Sequence, residues 1–180
     1  EQLPSESTIK KADEIINDDF YGTLPYFIEI DTGGEGRVLE TETLQIINDI
    51  HTLMNNDSIV GYSYSLLTVL MQLSYYFEGD RTLLLNDDSM GNFISEQYLL
   101  YYSSSVDPLE YESLVNASYR VFSIKGLLYY KNVDTLTEFY SLIDRISSSL
   151  PEEWTIKVHG MVNELKAEEL SLRKNWIFSF

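Results

Sequence analysis

From residue 26 to 63 the chain runs strand-like, helix-like, strand-like, and from 119 to 160 it does so again. In the first copy "YFIEI" has strand composition. A helix then starts at Thr41 with Leu44, Ile47, Ile50 or His51, and Met54 on one face, and "SIVGYSYS" returns to an extended pattern. In the second copy "YRVFSIKGLLYY" alternates Val121 with Ser123 and Ile124 with Gly126, as a strand with one buried face does. The helix "DTLTEFYSLIDRISSSL" follows, its stripe formed by Leu136, Phe139 or Tyr140, Ile143, Ile146 or Ser147, and Leu150. Asp134 is its expected cap and Pro151 its stop, and "WTIKVHG" closes the unit as a strand. The helices are of similar length, and the copies share pattern, not residue identity. The prediction is an α+β chain: two β-α-β units forming ferredoxin-like α/β sandwich lobes, with extra helices inserted between them.

The segments outside these units are helical or turn-like. "STIKKADEIINDDF" repeats Ile9, Ala12, Ile15 or Ile16, and Phe20 at helical spacing, and Gly22 and Pro25 end the helix. Between the units, "LLTVLMQLSYYF" reads as helix by its length, and "NFISEQYLLYYSSS" aligns Ile94, Tyr98 and Tyr101 or Tyr102. "DPLEYESLVN" has a marked helix start: Asp107 to cap, Pro108 at the first helical position, Glu110 where a capping-box acid belongs.

Charge and cysteine count remove several function classes. With 29 Asp and Glu against 12 Lys and Arg, the formal net charge is −17. Such a surface repels phosphate backbones, so nucleic acid is not an expected partner. The absence of cysteine excludes disulfides, thiolate catalysis and Cys-based zinc sites. No stretch approaches the roughly 20 apolar residues of a membrane span.

The motifs with catalytic or ligand-binding potential are weak when taken singly. "TGGEG", Thr32 to Gly36, sits between a strand and a helix, where phosphate-cradling loops occur. Its glycine spacing fails the G-x-G-x-x-G pattern and Glu35 lies inside it, so a turn needing positive φ is the better reading. His51 and His159 have no second ligand at helical spacing, which leaves no metal site and no cofactor. "NDDS", Asn86 to Ser89, lacks the alternating acids and distal Glu of a calcium loop. The acid pairs Asp18–Asp19, Glu152–Glu153 and Glu168–Glu169 are what an acidic chain produces by chance, and no G-x-S-x-G elbow is present. No catalytic, cofactor or metal residue is assigned, and an enzyme is not expected. The aromatic runs "YYFEG" and "YLLYY" fit either a hydrophobic cleft or plain core packing.

The chain ends on "LSLRKNWIFSF", a basic pair, Arg173 and Lys174, leading into Trp176, Ile177, Phe178 and Phe180. That ending, and several internal segments in order, resemble the RND superfamily of membrane transporters, in its MMPL-like predicted-exporter branch. "NDDFYGTLPYFIEID" resembles the family's helix end, glycine-rich turn and first strand, with Tyr21 standing where a glycine is usual. "LETETLQIINDIHTLMNNDSIVGYSYSL" resembles the next helix, link and strand. "LLLNDDSMGNFISEQYLLYYSSSVDPLEYESLVNASYRVFSI" is the closest stretch, Leu114, Val115 and Arg120 holding the family's Leu-Val and Arg places before the next strand. "WTIKVHGMVNELKAEELSLRKN" resembles the strand, glycine and helix that lead into the second membrane span.

The resemblance implies that residues 1–172 are an extracytoplasmic, porter-type domain and that 173–180 are the stub of the following transmembrane helix. Within it the first β-α-β unit covers about 24–65, a helical insert about 66–117 and the second unit about 118–160. It further implies an inner-membrane protein with this segment on the periplasmic side. The partners it implies are the transmembrane portion of the same polypeptide, a lipid or other hydrophobic molecule, and further copies in a homo-oligomer. The function it implies is binding or gating of that substrate in a proton-driven exporter. The alternative is a ligand- or protein-binding ectodomain of a membrane protein that does not transport.

Overall fold

The computed structural model describes residues 8–86 and 89–168. Helix α1, Thr8–Asp19, ends in a left-handed turn: Gly22 N–H donates to the Asn17 carbonyl at 3.0 Å while Tyr21 takes φ 61°. That six-to-one bond with a left-handed residue before it is a Schellman closure, in which the left-handed position is normally glycine. Strand β1, Leu24–Asp31, follows and turns Leu24, Tyr26, Ile28 and Ile30 inward.

A turn carrying buried Val38 leads to α2, Thr41–Asn55, which buries Leu44, Ile47, Ile50 and Met54 as its 3.6-residue stripe requires. Strand β2, Val60–Ser65, runs without a break into α3, Leu66–Glu78. Ser65 and Thr68 cap that junction reciprocally, the Ser65 N–H donating to Thr68 Oγ1 at 3.2 Å. Gly79 in the left-handed region ends α3. Helices α4, Ser89–Ser105, and α5, Pro108–Glu112, complete the insert. Then come β3, Val121–Leu128, α6, Val133–Ser149, β4, Thr155–His159, and a helical stretch over 161–168.

The four strands form one sheet in the order β2-β3-β1-β4, every pair antiparallel. β1 and β3 pair along their whole length, from Leu24 opposite Leu128 to Asp31 opposite Val121. Each strand of one unit therefore lies beside a strand of the other. The fold is α+β, a four-stranded antiparallel sheet with helices, compatible with an α/β sandwich of the ferredoxin-like kind. Because the units interleave in a single sheet, the described residues share one core and are not divided into separate lobes. Tyr26 of β1 packs on Phe139 of α6 with ring centroids 5.3 Å apart, and Phe122 of β3 meets Trp154 edge-on. Burying side chains of this size contributes roughly 1.5–3 kcal/mol each.

Local corrections concern caps. Asn132, not Asp134, caps α6: its backbone is extended, and its side-chain oxygen accepts the Asp134 N–H at 2.9 Å. Asp107 caps α5 as expected, accepting the Leu109 N–H at 2.8 Å, but Glu110 accepts from the Tyr102 hydroxyl instead of closing a box. Residues 173–180, read above as the stub of a transmembrane helix, lie outside the described residues.

Candidate functional site

The aromatic runs of the insert make an exposed ledge. Leu66, Leu67 and Leu70 of α3 face the core, so the Tyr75-Tyr76-Phe77 run at its end cannot all turn inward. On α4, Ser95, Tyr98 and Leu99 are buried, while Phe93, Leu100 and Tyr101 are exposed. Phe77 joins the helices: its ring stacks on Tyr98 at 5.6 Å and meets Tyr101 edge-on at 5.5 Å and Tyr76 edge-on at 5.1 Å. Tyr76 is 79% exposed and Leu100 73%. Burial, reinforced by nearby Glu78, pushes the Tyr98 phenol above its ordinary pKa, so the ring stays neutral at physiological pH. The rings of Tyr76, Phe77 and Tyr101 thus adjoin one another at the surface of the insert, the kind of apolar surface that is a candidate for contact with a ligand or partner.

The second candidate is polar. His51 of α2 sits between two serines of β2: Nδ1 lies 2.7 Å from Ser63 Oγ and Nε2 2.8 Å from Ser65 Oγ. Ser63 donates its hydroxyl proton to Asn55 Oδ1 at 3.1 Å, so it must accept from Nδ1–H, and Ser65 must donate to Nε2. The imidazole is thereby neutral, and burial lowers its pKa to about 4. A serine 2.8 Å from a histidine nitrogen is a nucleophile–base distance. Yet Ser65 is fully buried and caps α3, so no substrate carbonyl reaches it. The network ties α2 to β2. Sequence spacing shows no second ligand for His51 and does not by itself bring Ser63 and Ser65 to it. The signal available was the Ser63–Ser65 spacing, since residues two apart on a strand share a face.

Lys125 forms the third cluster. Its ammonium donates to Ser113 Oγ and lies 5.7 Å from the centre of the Phe27 ring, and burial lowers its pKa. Ser113 already donates to the Glu110 carbonyl, so lysine is the donor of the pair and serine is not activated by it. Above it the Tyr111 hydroxyl donates to that of Tyr119 at 2.9 Å, and Tyr102 reaches Glu110. These bonds fasten α4 and α5 to the strand that follows.

The remaining sequence candidates resolve simply. In Thr32–Gly36, Gly33 and Gly36 take positive φ, and their N–H groups are used by Asp31 Oδ1 and the Ser118 carbonyl. The segment is a turn. His159 lies at the end of β4, its Nε2 4.0 Å from Glu29, and Glu153 pairs with Arg37 at 2.7 Å. Among the described residues no cluster of three or more His, Cys, Asp or Glu is placed to hold a metal ion. Asp87 and Asp88 of "NDDS", and Glu169, lie outside the described residues.

No family model matches the chain. No curated protein matches it either. No helix of the described residues is long and apolar enough to cross a membrane.

Proposed function

We propose that this chain is the extracytoplasmic, porter-type domain of a proton-driven RND-type exporter of the MMPL-like branch, lying on the periplasmic side of an inner membrane. The ledge on α3 and α4 meets a lipid or other hydrophobic substrate during binding or gating. The observation that carries this reading is the ledge itself: Tyr76, Phe77, Phe93, Leu100 and Tyr101 face outward on the insert while the sandwich core closes without them.

Two further features support it. Tyr21 holds φ 61° at the position where the resembled family has glycine, so the backbone there keeps the shape a glycine gives. Arg120, in the family's arginine place, clasps Asp31 with Nε to Oδ1 at 2.7 Å and a terminal nitrogen to Oδ2 at 2.9 Å, joining the end of β1 to the start of β3. In this reading the domain binds or gates but does no covalent chemistry. The transmembrane portion of the same polypeptide supplies the proton coupling.

The test is topological. The gene product carrying this chain is expected in the inner-membrane fraction. External protease should reach the exposed turn at 79–82 in spheroplasts but not in intact cells. A product found in the cytosolic fraction, or protected in spheroplasts, would overturn the reading.

A further inference from the structure

We propose that the cavity between α2, β2 and α3 binds a small hydroxylated carboxylic acid. The cavity has a volume of about 260 Å³, and its wall includes His51, Asn55, Ser63, Met71, Gln72 and Arg81. Among the described residues no carboxylate lines it. Two further cavities carry an excess of acid, one holding Glu40, Glu42 and Glu153 with Arg37 and the other Asp134 and Glu138 with Lys131. In a chain of net charge −17, a recess with a guanidinium and no acid is a local reversal of sign.

Arg81 forms no ion pair among the described residues. Its guanidinium rests over the Tyr75 ring, 5.0 Å from the centroid. The turn that carries it is pinned by Asp80, which accepts from Thr82 N at 2.7 Å and from Thr82 Oγ1 at 2.8 Å. A planar fork held in this way presents paired N–H donors to a carboxylate.

The histidine network decides what the rest of the wall offers. Ser63 and Ser65 take both imidazole nitrogens, and the Ser63 proton goes to Asn55 Oδ1. The oxygen end of the Asn55 amide is therefore engaged and its NH2 end remains. Beside the carboxamide oxygens of Asn48 and Gln72, the wall offers the Asn55 and Gln72 NH2 groups and the Arg81 guanidinium as donors. Hydroxyl and carboxylate oxygens satisfy such donors, and Met71 supplies an apolar contact for the carbons between them. The space suits a molecule on the order of ten non-hydrogen atoms.

The experiment is an NMR titration of the ¹⁵N-labelled 180-residue chain with gluconate, glucose and inorganic phosphate in parallel. Gluconate should give saturable shifts in the Asn55 and Gln72 side-chain amides and the Arg81 Nε–H, with a Kd on the order of 1 mM. Arg81→Gln, a change at an exposed site, should weaken binding at least about tenfold, as loss of a charge-assisted bond does. Asn55→Asp should abolish it while still accepting from Ser63. Glucose and phosphate should bind at least about tenfold more weakly than gluconate. The proposal is overturned by the absence of saturable shifts with gluconate, by equal binding of glucose or phosphate, or by unchanged binding in Arg81→Gln.

Discussion

The carbonyl oxygen of Tyr21 occupies the space where a side chain on Gly61 would begin. A Cβ built at Gly61 stands 1.6 Å from that oxygen, with the Tyr21 carbonyl carbon at 2.4 Å. The turn after α1 thus rests on the backbone of β2, and the obstacle is main chain that cannot rotate away. Gly61→Ala is expected to destabilise the fold by about 2–3 kcal/mol, the cost of forced overpacking, read as a lower denaturant midpoint with an unchanged slope. An unaffected midpoint would mean that the two backbones are not in contact.

Tyr21 itself should respond in the opposite direction. Its side chain is exposed and its φ of 61° carries the left-handed penalty that glycine avoids. Glycine brings a larger chain entropy to the unfolded state, which offsets part of the gain. Tyr21→Gly is therefore expected to stabilise by roughly 0.5 kcal/mol in the same denaturation measurement. Destabilisation would show that the Tyr21 ring makes contacts that matter.

His51 gives the fold a pH dependence of known sign. Burial lowers its pKa from the ordinary 6.5 to about 4, so between these values the unfolded chain binds a proton that the folded chain does not. The stabilisation is complete above about pH 6.5 and is lost as pH falls towards 4, a decline of roughly 3 kcal/mol by linkage. His51→Gln should start about 1–2 kcal/mol less stable and lack this decline. Asp31, held below its ordinary pKa by Arg120, acts lower: its contribution is present above its unfolded pKa of 3.8 and lost as pH falls further. Parallel curves for the two proteins would remove His51 as the titrating group.

These results also show which levels of structure were legible. The inward set Leu24, Tyr26, Ile28 and Ile30 follows from strand alternation, and Leu44, Ile47, Ile50 and Met54 from helical spacing. Both are local regularities that any window of sequence displays. The strand order β2-β3-β1-β4 is not local. Separate lobes and an interleaved sheet have the same element pattern, and only the pairing of β1 with β3 distinguishes them. Asn132 and Asp134 are equally good capping residues by type, and the extended backbone at Asn132 settles the choice.

The candidate sites divide in the same way. "YYFEG" and "YLLYY" fit a hydrophobic cleft or core packing equally by composition, because core and ledge draw on identical residue types. Which of them Phe77 serves depends on how α3 leans on α4. The pairing of His51 with Ser63 and Ser65 required α2 to lie over β2, a tertiary fact that spacing alone does not contain.

The most direct measurement of the central claim is native mass spectrometry of the chain after incubation with a lipid extract of the source organism. The wild-type chain should retain a defined lipid. A Phe77→Ser, Tyr101→Ser double variant, altered only at exposed ring positions, should retain at least about tenfold less, since each lost apolar contact removes on the order of 1 kcal/mol or more. Retention of no lipid by the wild type, or equal retention by the variant, would contradict the assignment of the ledge as the substrate-contacting surface.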